Sequence, residues 1–166
     1  MDSTVFISLV HTCAPQVHAT TARALVAIES SFNPWAIGVV GGRLERQPRS
    51  RQEAVATARA LQANGWNFSA GLGQINVRNF AWLGLSLDAA FDPCSNLTAM
   101  QAVLGACFDR ASAGQRGPPQ AALQRALSCY YSGNFTTGFQ HGYVQKVVSA
   151  ASPARPSAHP STASKE

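Results

Sequence analysis

The sequence predicts a mainly α-helical domain that carries one small β-ribbon. Apolar residues recur at three- and four-residue steps through stretch after stretch, each bounded by a capping residue, a glycine or a proline. One Gly-Gly pair, Gly41-Gly42, lies between an apolar and a mixed run, which is a hairpin signal. The 166 residues are 46% hydrophobic and 13% charged, enough for one domain with a real core. That domain is expected over residues 1–151. Residues 152–166 are rich in Pro, Ser and Ala without periodicity and are expected to be a disordered tail.

Asp2, Ser3 and Thr4 can cap a first helix over about 5–12, because their side-chain oxygens accept the free N–H groups of a first turn. Ala14-Pro15 breaks it. In a second helix over about 20–32, Ala22, Leu25, Val26 and Ile28 form an apolar face, and Asn33-Pro34 stops it, since a residue before proline is pushed out of the α region. The ribbon is expected from Ile37 to Leu44. Ser50-Arg51-Gln52-Glu53 reads as a capping box opening a helix to about Ala63, which Asn64-Gly65 ends.

Gly71 and Gly73 lack the third glycine and the strand–turn–helix setting of a dinucleotide fingerprint. They let backbone approach a neighbour or a ligand closely, leaving Gln74 and Asn76 as amides facing one side. A short helix comes next, over about 78–83. Asp92 caps a long helix with Pro93 at its first position, running to about 113 with Leu97, Met100, Val103, Leu104, Cys107 and Phe108 as its core stripe. Gly117-Pro118-Pro119 separates it from a helix over about 120–131, and a last helix over about 142–151 holds Tyr143, Val144, Val147 and Val148.

The net charge of +5 raises the question of an acidic partner. The basic residues are scattered, however, and their densest group, Arg43, Arg46, Arg49 and Arg51, falls in one loop. With no basic helix, zinc spacing or RNA-binding signature, nucleic acid is not expected as a partner. No apolar run approaches the roughly 20 residues that span a bilayer, so no membrane span is expected. The N-terminus lacks a basic n-region, and no signal peptide is expected. The four cysteines, Cys13, Cys94, Cys107 and Cys129, contain no C-x-x-C, so no metal site is expected. They suit either two disulfides or four buried thiols.

One residue is placed for chemistry. Glu29 stands one turn after Leu25, on the edge of the apolar face and in the last turn of its helix. That end of the helix disfavours an anion, and burial against Phe32 and Trp35 would disfavour it further. Both favour the neutral acid that general acid catalysis requires, although a solvated helix-end glutamate fits the same stretch.

Three stretches together resemble one family. Glu29-Ser30-Ser31-Phe32-Asn33-Pro34-Trp35-Ala36 resembles the Glu-Ser-x-x-Asn-Pro-x-Ala signature of soluble, goose-lysozyme-like lytic transglycosylases. Gly71-Leu72-Gly73-Gln74-Ile75-Asn76 resembles their Gly-Leu-Met-Gln segment, and Ala126-Leu127-Ser128-Cys129-Tyr130-Tyr131-Ser132-Gly133 their Ala-Leu-Ala-Ala-Tyr-Asn-Ala-Gly segment. Gly142-Tyr143-Val144 with Val147 is similar to their closing helix. The segments at 36–42 and 91–97 look like the VirB1 branch, whose members serve type IV secretion and conjugation systems.

The resemblance implies an α+β lysozyme-like domain around a glycan cleft, acting as a monomer on peptidoglycan strands without a cofactor. Glu29 would be the sole catalytic acid/base, protonating the MurNAc–GlcNAc glycosidic oxygen and then taking the C6 hydroxyl proton as a 1,6-anhydro ring closes. Gln74, Asn76, Tyr130 and Tyr143 would contact the glycan, with Tyr130 also bonding Glu29. The sequence departs from the family at Gly73 (methionine), Tyr131 (asparagine) and Gly38, where many relatives offer a serine hydroxyl to the acetamido group.

The carboxylate inventory agrees with one acid. Ordinary glycosidases use a pair roughly 5–9.5 Å apart; of the eight acids here Asp2 and Glu166 are terminal, Glu53 and Asp92 cap helices and Asp109 lies late in one, which leaves only Glu45 and Asp88 as possible partners of Glu29. A water-using muramidase and a non-catalytic wall-binding secretion component are the alternatives. The periplasmic setting implied by the family favours two disulfides, paired as Cys107–Cys129 and Cys13–Cys94.

Overall fold

The computed structural model describes residues 1–114 and 117–152. The expected tail, beyond Ser152, lies outside the described residues. Within them the fold is helical with a small sheet, in the order α1 (Ser3–Cys13), α2 (Ala19–Ser30), β1 (Ile37–Val39), α3 (Arg51–Ala63), β2 (Phe68–Ala70), β3 (Ile75–Asn76), α4 (Phe80–Leu83), α5 (Pro93–Ser112), α6 (Pro119–Ser132), α7 (Thr137–Gln140) and α8 (Tyr143–Ala151). The long α5 is the spine: α6 and α1 pack along it, and α8 lies against α2. Its buried face carries Leu97, Met100, Leu104 and Cys107, whereas Val103 and Phe108 of the expected stripe are only partly buried.

Caps follow the sequence with two corrections. Asp2 and Asp92 accept the Thr4 and Ser95 N–H groups at 2.8 Å. Ser50 accepts the Glu53 N–H at 3.2 Å, but Glu53 does not close the box onto Ser50; it takes the Arg49 N–H at 2.8 Å and pairs with Arg46. The helix α2 stops at Ser30, before Asn33-Pro34, because Ser31 (φ 51°) and Phe32 (φ 63°) both turn left-handed. Phe32 thereby packs edge-on against Phe6 in the core, 5.1 Å between ring centroids, and Ile28 is left exposed.

The expected ribbon from Ile37 to Leu44 does not form. Gly41 and Gly42 do turn the chain, closed by a Gly42 N–H to Val39 carbonyl bond of 3.4 Å, but the strand beyond never pairs back. Instead β1, β2 and β3 make an antiparallel sheet in that order, with Ile37 opposite Ala70, Val39 opposite Phe68, and Ser69 opposite Asn76. The reason is burial. Phe68 and Ala70 bring fully buried side chains to β1, while Arg43, Glu45 and Arg46 have none to offer. The outer edge of β1 is closed by the Gln47 side chain, whose amide exchanges two hydrogen bonds with Ile37, 2.8 and 2.9 Å.

Asn96 on α5, which the sequence does not single out, anchors the sheet to the helices. It is 1% exposed; its Oδ1 accepts the Gly73 N–H at 2.7 Å, and its Nδ2 donates to the Ala70 and Ala90 carbonyls at 2.9 and 2.8 Å. A side chain at Gly71, where φ is +78°, would collide with Asn96 and with the Ala90 carbonyl.

Both expected disulfides form. Cys13–Cys94 ties α1 to the start of α5, and Cys107–Cys129 ties α5 to α6. Denatured, unreduced protein should therefore show no labelled thiols and reduced protein four. The bridges close loops of 81 and 22 residues. Replacing each pair by alanines is expected to cost about 4.5 kcal/mol for the longer loop and about 3.4 kcal/mol for the shorter in denaturant titrations. A smaller cost for the longer loop would contradict the loop-entropy account.

Candidate active site

The cleft of about 310 Å³ between the sheet and the helices holds Glu29. One wall is β1 at Gly38 and Val39; Gln74 and Asn76 stand on the second, and Tyr130 and Tyr131 of α6 on the third. Val103 of α5 also lines it, and no pattern in the sequence distinguishes it from its core neighbours. Phe32 and Trp35, expected to desolvate Glu29, do not line the cleft.

Glu29, in the last turn of α2, lines this cleft. Burial pushes its carboxyl well above the ordinary glutamate range, to about 7, against the smaller opposing pull of a hydrogen bond donated by the Tyr143 hydroxyl. Burial wins because desolvation penalises the anion over its whole surface, while the phenol stabilises one oxygen. The Tyr143 phenol is itself pushed far up by burial and by the facing Glu29, so it stays a donor.

Two tyrosines have other partners than expected. Tyr130 does not bond Glu29; its hydroxyl donates to the Gly73 carbonyl. A Cβ at residue 73 would stand 2.9 Å from that hydroxyl and 3.1 Å from Met100 Cβ, so glycine is what lets the tyrosine close over the turn. Tyr143, expected to touch glycan, is 6% exposed and absent from the cleft lining. Its hydroxyl is delivered to Glu29 because it opens α8 where that helix packs on α2.

Gln74 and Asn76 line the cleft, and both are held by the protein. Gln74, at φ 48°, donates through Nε2 to the Ala36 and Gly71 carbonyls, both at 3.0 Å. Its Oε1 occupies the space a side chain at Gly38 would need: a Cβ there would lie 2.8 Å away. Asn76 accepts the Arg78 N–H at 3.1 Å and donates to Ser69 Oγ at 3.4 Å.

Among the described residues no second carboxylate lines the cleft. Glu45 is exposed on the loop after β1, and Asp88 is paired with Arg51 at 2.6 Å. No cluster of three or more His, Cys, Asp or Glu among the described residues could hold a metal. The arrangement can therefore deliver one proton, and take one back, at a single point of a groove.

A proton donor with its pKa near 7 fixes the sign of the pH response. The acid form is lost as pH rises through about 7, so activity should fall along an alkaline limb centred there. Tyr143→Phe removes the bond that favours the anion and should move that limb upward while lowering the maximum. A limb unmoved by Tyr143→Phe would mean another group titrates.

The family model "Transglycosylase SLT domain" matches residues 7–151. "Type IV secretion system protein virB1" of Brucella abortus is 50% identical over 151 residues, covering 88% of this chain and 63% of the relative. "Protein virB1" of Agrobacterium fabrum is 38% identical over 148 residues, covering 88% of this chain and 59% of the relative. "Protein virB1" of Rhizobium radiobacter is 38% identical over 153 residues, covering 91% and 62%. The chain thus spans about three-fifths of the length of these relatives. No solved structure matches it.

Proposed function

The chain belongs to the transglycosylase SLT domain family, and from that premise we propose that it is a peptidoglycan lytic transglycosylase that opens the cell wall for a type IV secretion system. The observation that carries the proposal is Glu29, about half protonated near pH 7, in a cleft that no second carboxylate lines among the described residues. Glu29 gives its proton to the oxygen bridging MurNAc C1 and GlcNAc C4 as that C1–O bond breaks. The C6 hydroxyl oxygen of the same MurNAc then bonds to C1, and its proton returns to Glu29. No water is consumed, the acid is regenerated, and the product ends in a 1,6-anhydro ring.

One carboxylate suffices because the two proton transfers are sequential and use the acid and then its conjugate base. Tyr143 keeps the same oxygen in place through both. A retaining or inverting hydrolase would need a second carboxylate facing the sugar. Gln74 and Asn76 offer polar groups to the sugar substituents along the second wall.

The secretion role rests on the names of the virB1 relatives. A periplasmic location fits two disulfides, which persist in oxidising compartments. Among the described residues no helix is long and apolar enough to cross a membrane. Mass spectrometry of murein digested by the purified protein tests the reaction. Anhydro-muropeptides are expected; reducing ends, heavier by one water, would make it a hydrolase, and an absence of soluble fragments a wall-binding protein.

A further inference from the structure

Tyr131 takes no part in the acid–base chemistry, yet its ring is held in the cleft by two neighbours. It lines the cleft and is 44% exposed. One face of its ring is covered by Tyr143, 4.4 Å between centroids and 19° from parallel. His141 meets it edge-on, at 5.8 Å and 81°, and shares a hydrogen bond of 3.1 Å between its Nδ1 and the Tyr131 hydroxyl. The ring is thus fixed by a stack and a tether, and its accessible surface is the part turned away from Tyr143.

We propose that Tyr131 is a stacking platform for one sugar of a β-1,4-linked glycan strand, held in register by Tyr143 and His141. This rests on the transglycosylase reading above. A pyranose whose substituents are equatorial exposes axial C–H groups on each face, slightly positive and apolar, and the negative face of an aromatic ring complements them. Fixing the ring beforehand removes the rotamer entropy that binding would otherwise cost. The ring that backs Tyr131 is the one whose hydroxyl holds Glu29, so the platform lies one side chain from the acid and addresses a sugar close to the scissile bond. Gln74 and Asn76 elsewhere in the lining meet polar substituents; Tyr131 supplies an aromatic face, which the aliphatic Val39, Ile75 and Val103 of the lining cannot.

The test is the split between saturation and turnover on purified sacculi. Tyr131→Ala should raise the half-saturating sacculus concentration about five- to tenfold, the range an aromatic contact contributes. Turnover at saturation should change by less than about threefold, since the acid keeps its own partner. Tyr131→Phe retains the ring and loses the tether, so its half-saturation should rise only about twofold, and His141→Ala should match it without adding to it in the double variant. A binding arm free of turnover compares Glu29→Gln with Glu29→Gln/Tyr131→Ala by cosedimentation with sacculi; the second should bind more weakly by the same factor. Half-saturation and cosedimentation unaffected by Tyr131→Ala would overturn the platform. So would a fall in turnover at unchanged half-saturation, which would make Tyr131 a brace for Tyr143 alone. A wild-type protein that releases no fragment from sacculi overturns the transglycosylase reading instead, and the cosedimentation result then decides the platform separately.

Discussion

Glu29→Gln is expected to lower turnover on peptidoglycan by at least ~10²–10⁴-fold, the range for losing a general acid–base group, while the fold and glycan binding are kept. The amide matches the acid in size and can still accept the Tyr143 hydroxyl bond through its oxygen. It can neither supply the proton to the leaving oxygen nor recover one from the C6 hydroxyl, and because one residue serves both steps the loss is expected at the upper end. Stability supplies an internal control. A carboxyl whose folded pKa is raised to about 7 favours the fold fully below the ordinary glutamate range and loses that contribution as pH climbs through 7. Above that, keeping the anion buried costs on the order of 3 kcal/mol, a cost that glutamine does not bear. The variant should therefore melt higher than the wild type at pH 8 and about equally at pH 4. Glu45→Gln and Asp88→Asn should leave turnover within about threefold of wild type, since exposed groups and surface ion pairs contribute little. If either, still folded, matched the Glu29→Gln loss, the one-carboxylate mechanism would be wrong.

Asn96→Ala is expected to be the most damaging single substitution for stability. Three backbone groups depend on this side chain, the Gly73 N–H and the Ala70 and Ala90 carbonyls, and all lie where the sheet meets α5. Each buried group left unpaired costs about 1–3 kcal/mol, so the loss should be about 5 kcal/mol, or on the order of 10–15 °C in melting temperature for a domain of this length. Asn96→Asp should be nearly as harmful at neutral pH, because a carboxylate accepts from Gly73 but repels both carbonyls. Since the Gly71–Gln74 turn carries one wall of the cleft, partly destabilised variants should lose turnover before they unfold. A melting temperature within a few degrees of wild type would show that water replaces the amide, contrary to its 1% exposure.

Local chemistry is enough to determine much of this protein. Periodicity and caps locate α1, α3, α5, α6 and α8 nearly to the residue, because helices form from contacts three and four residues apart and from capping side chains beside them. The carboxylate on α2 is legible for the same reason, although that helix ends at Ser30, two residues before the expected stop. Long-range partners are not. The hydrogen bonds of β1 go to Phe68–Ala70 across all of α3, and the turn signal at Gly41-Gly42 carries no information about where the chain beyond it pairs. The short strands and α7 lack enough residues to show a period. The disulfide pairs need the family resemblance, since cysteine spacing alone allows several. Which tyrosine meets Glu29 is decided by packing: α8 against α2 brings Tyr143 to the acid, and the missing side chain at Gly73 draws Tyr130 away to a carbonyl. Asn96 gives no signal, because an asparagine inside a helix looks polar until two backbone groups of the distant 70–73 turn, and the Ala90 carbonyl just before the helix, converge on it. The sequence by itself thus determined the helices and the carboxylate; the tertiary structure decided that carboxylate's partner, its desolvation and its walls, since each depends on groups far along the chain whose approach is set by the closing of the core.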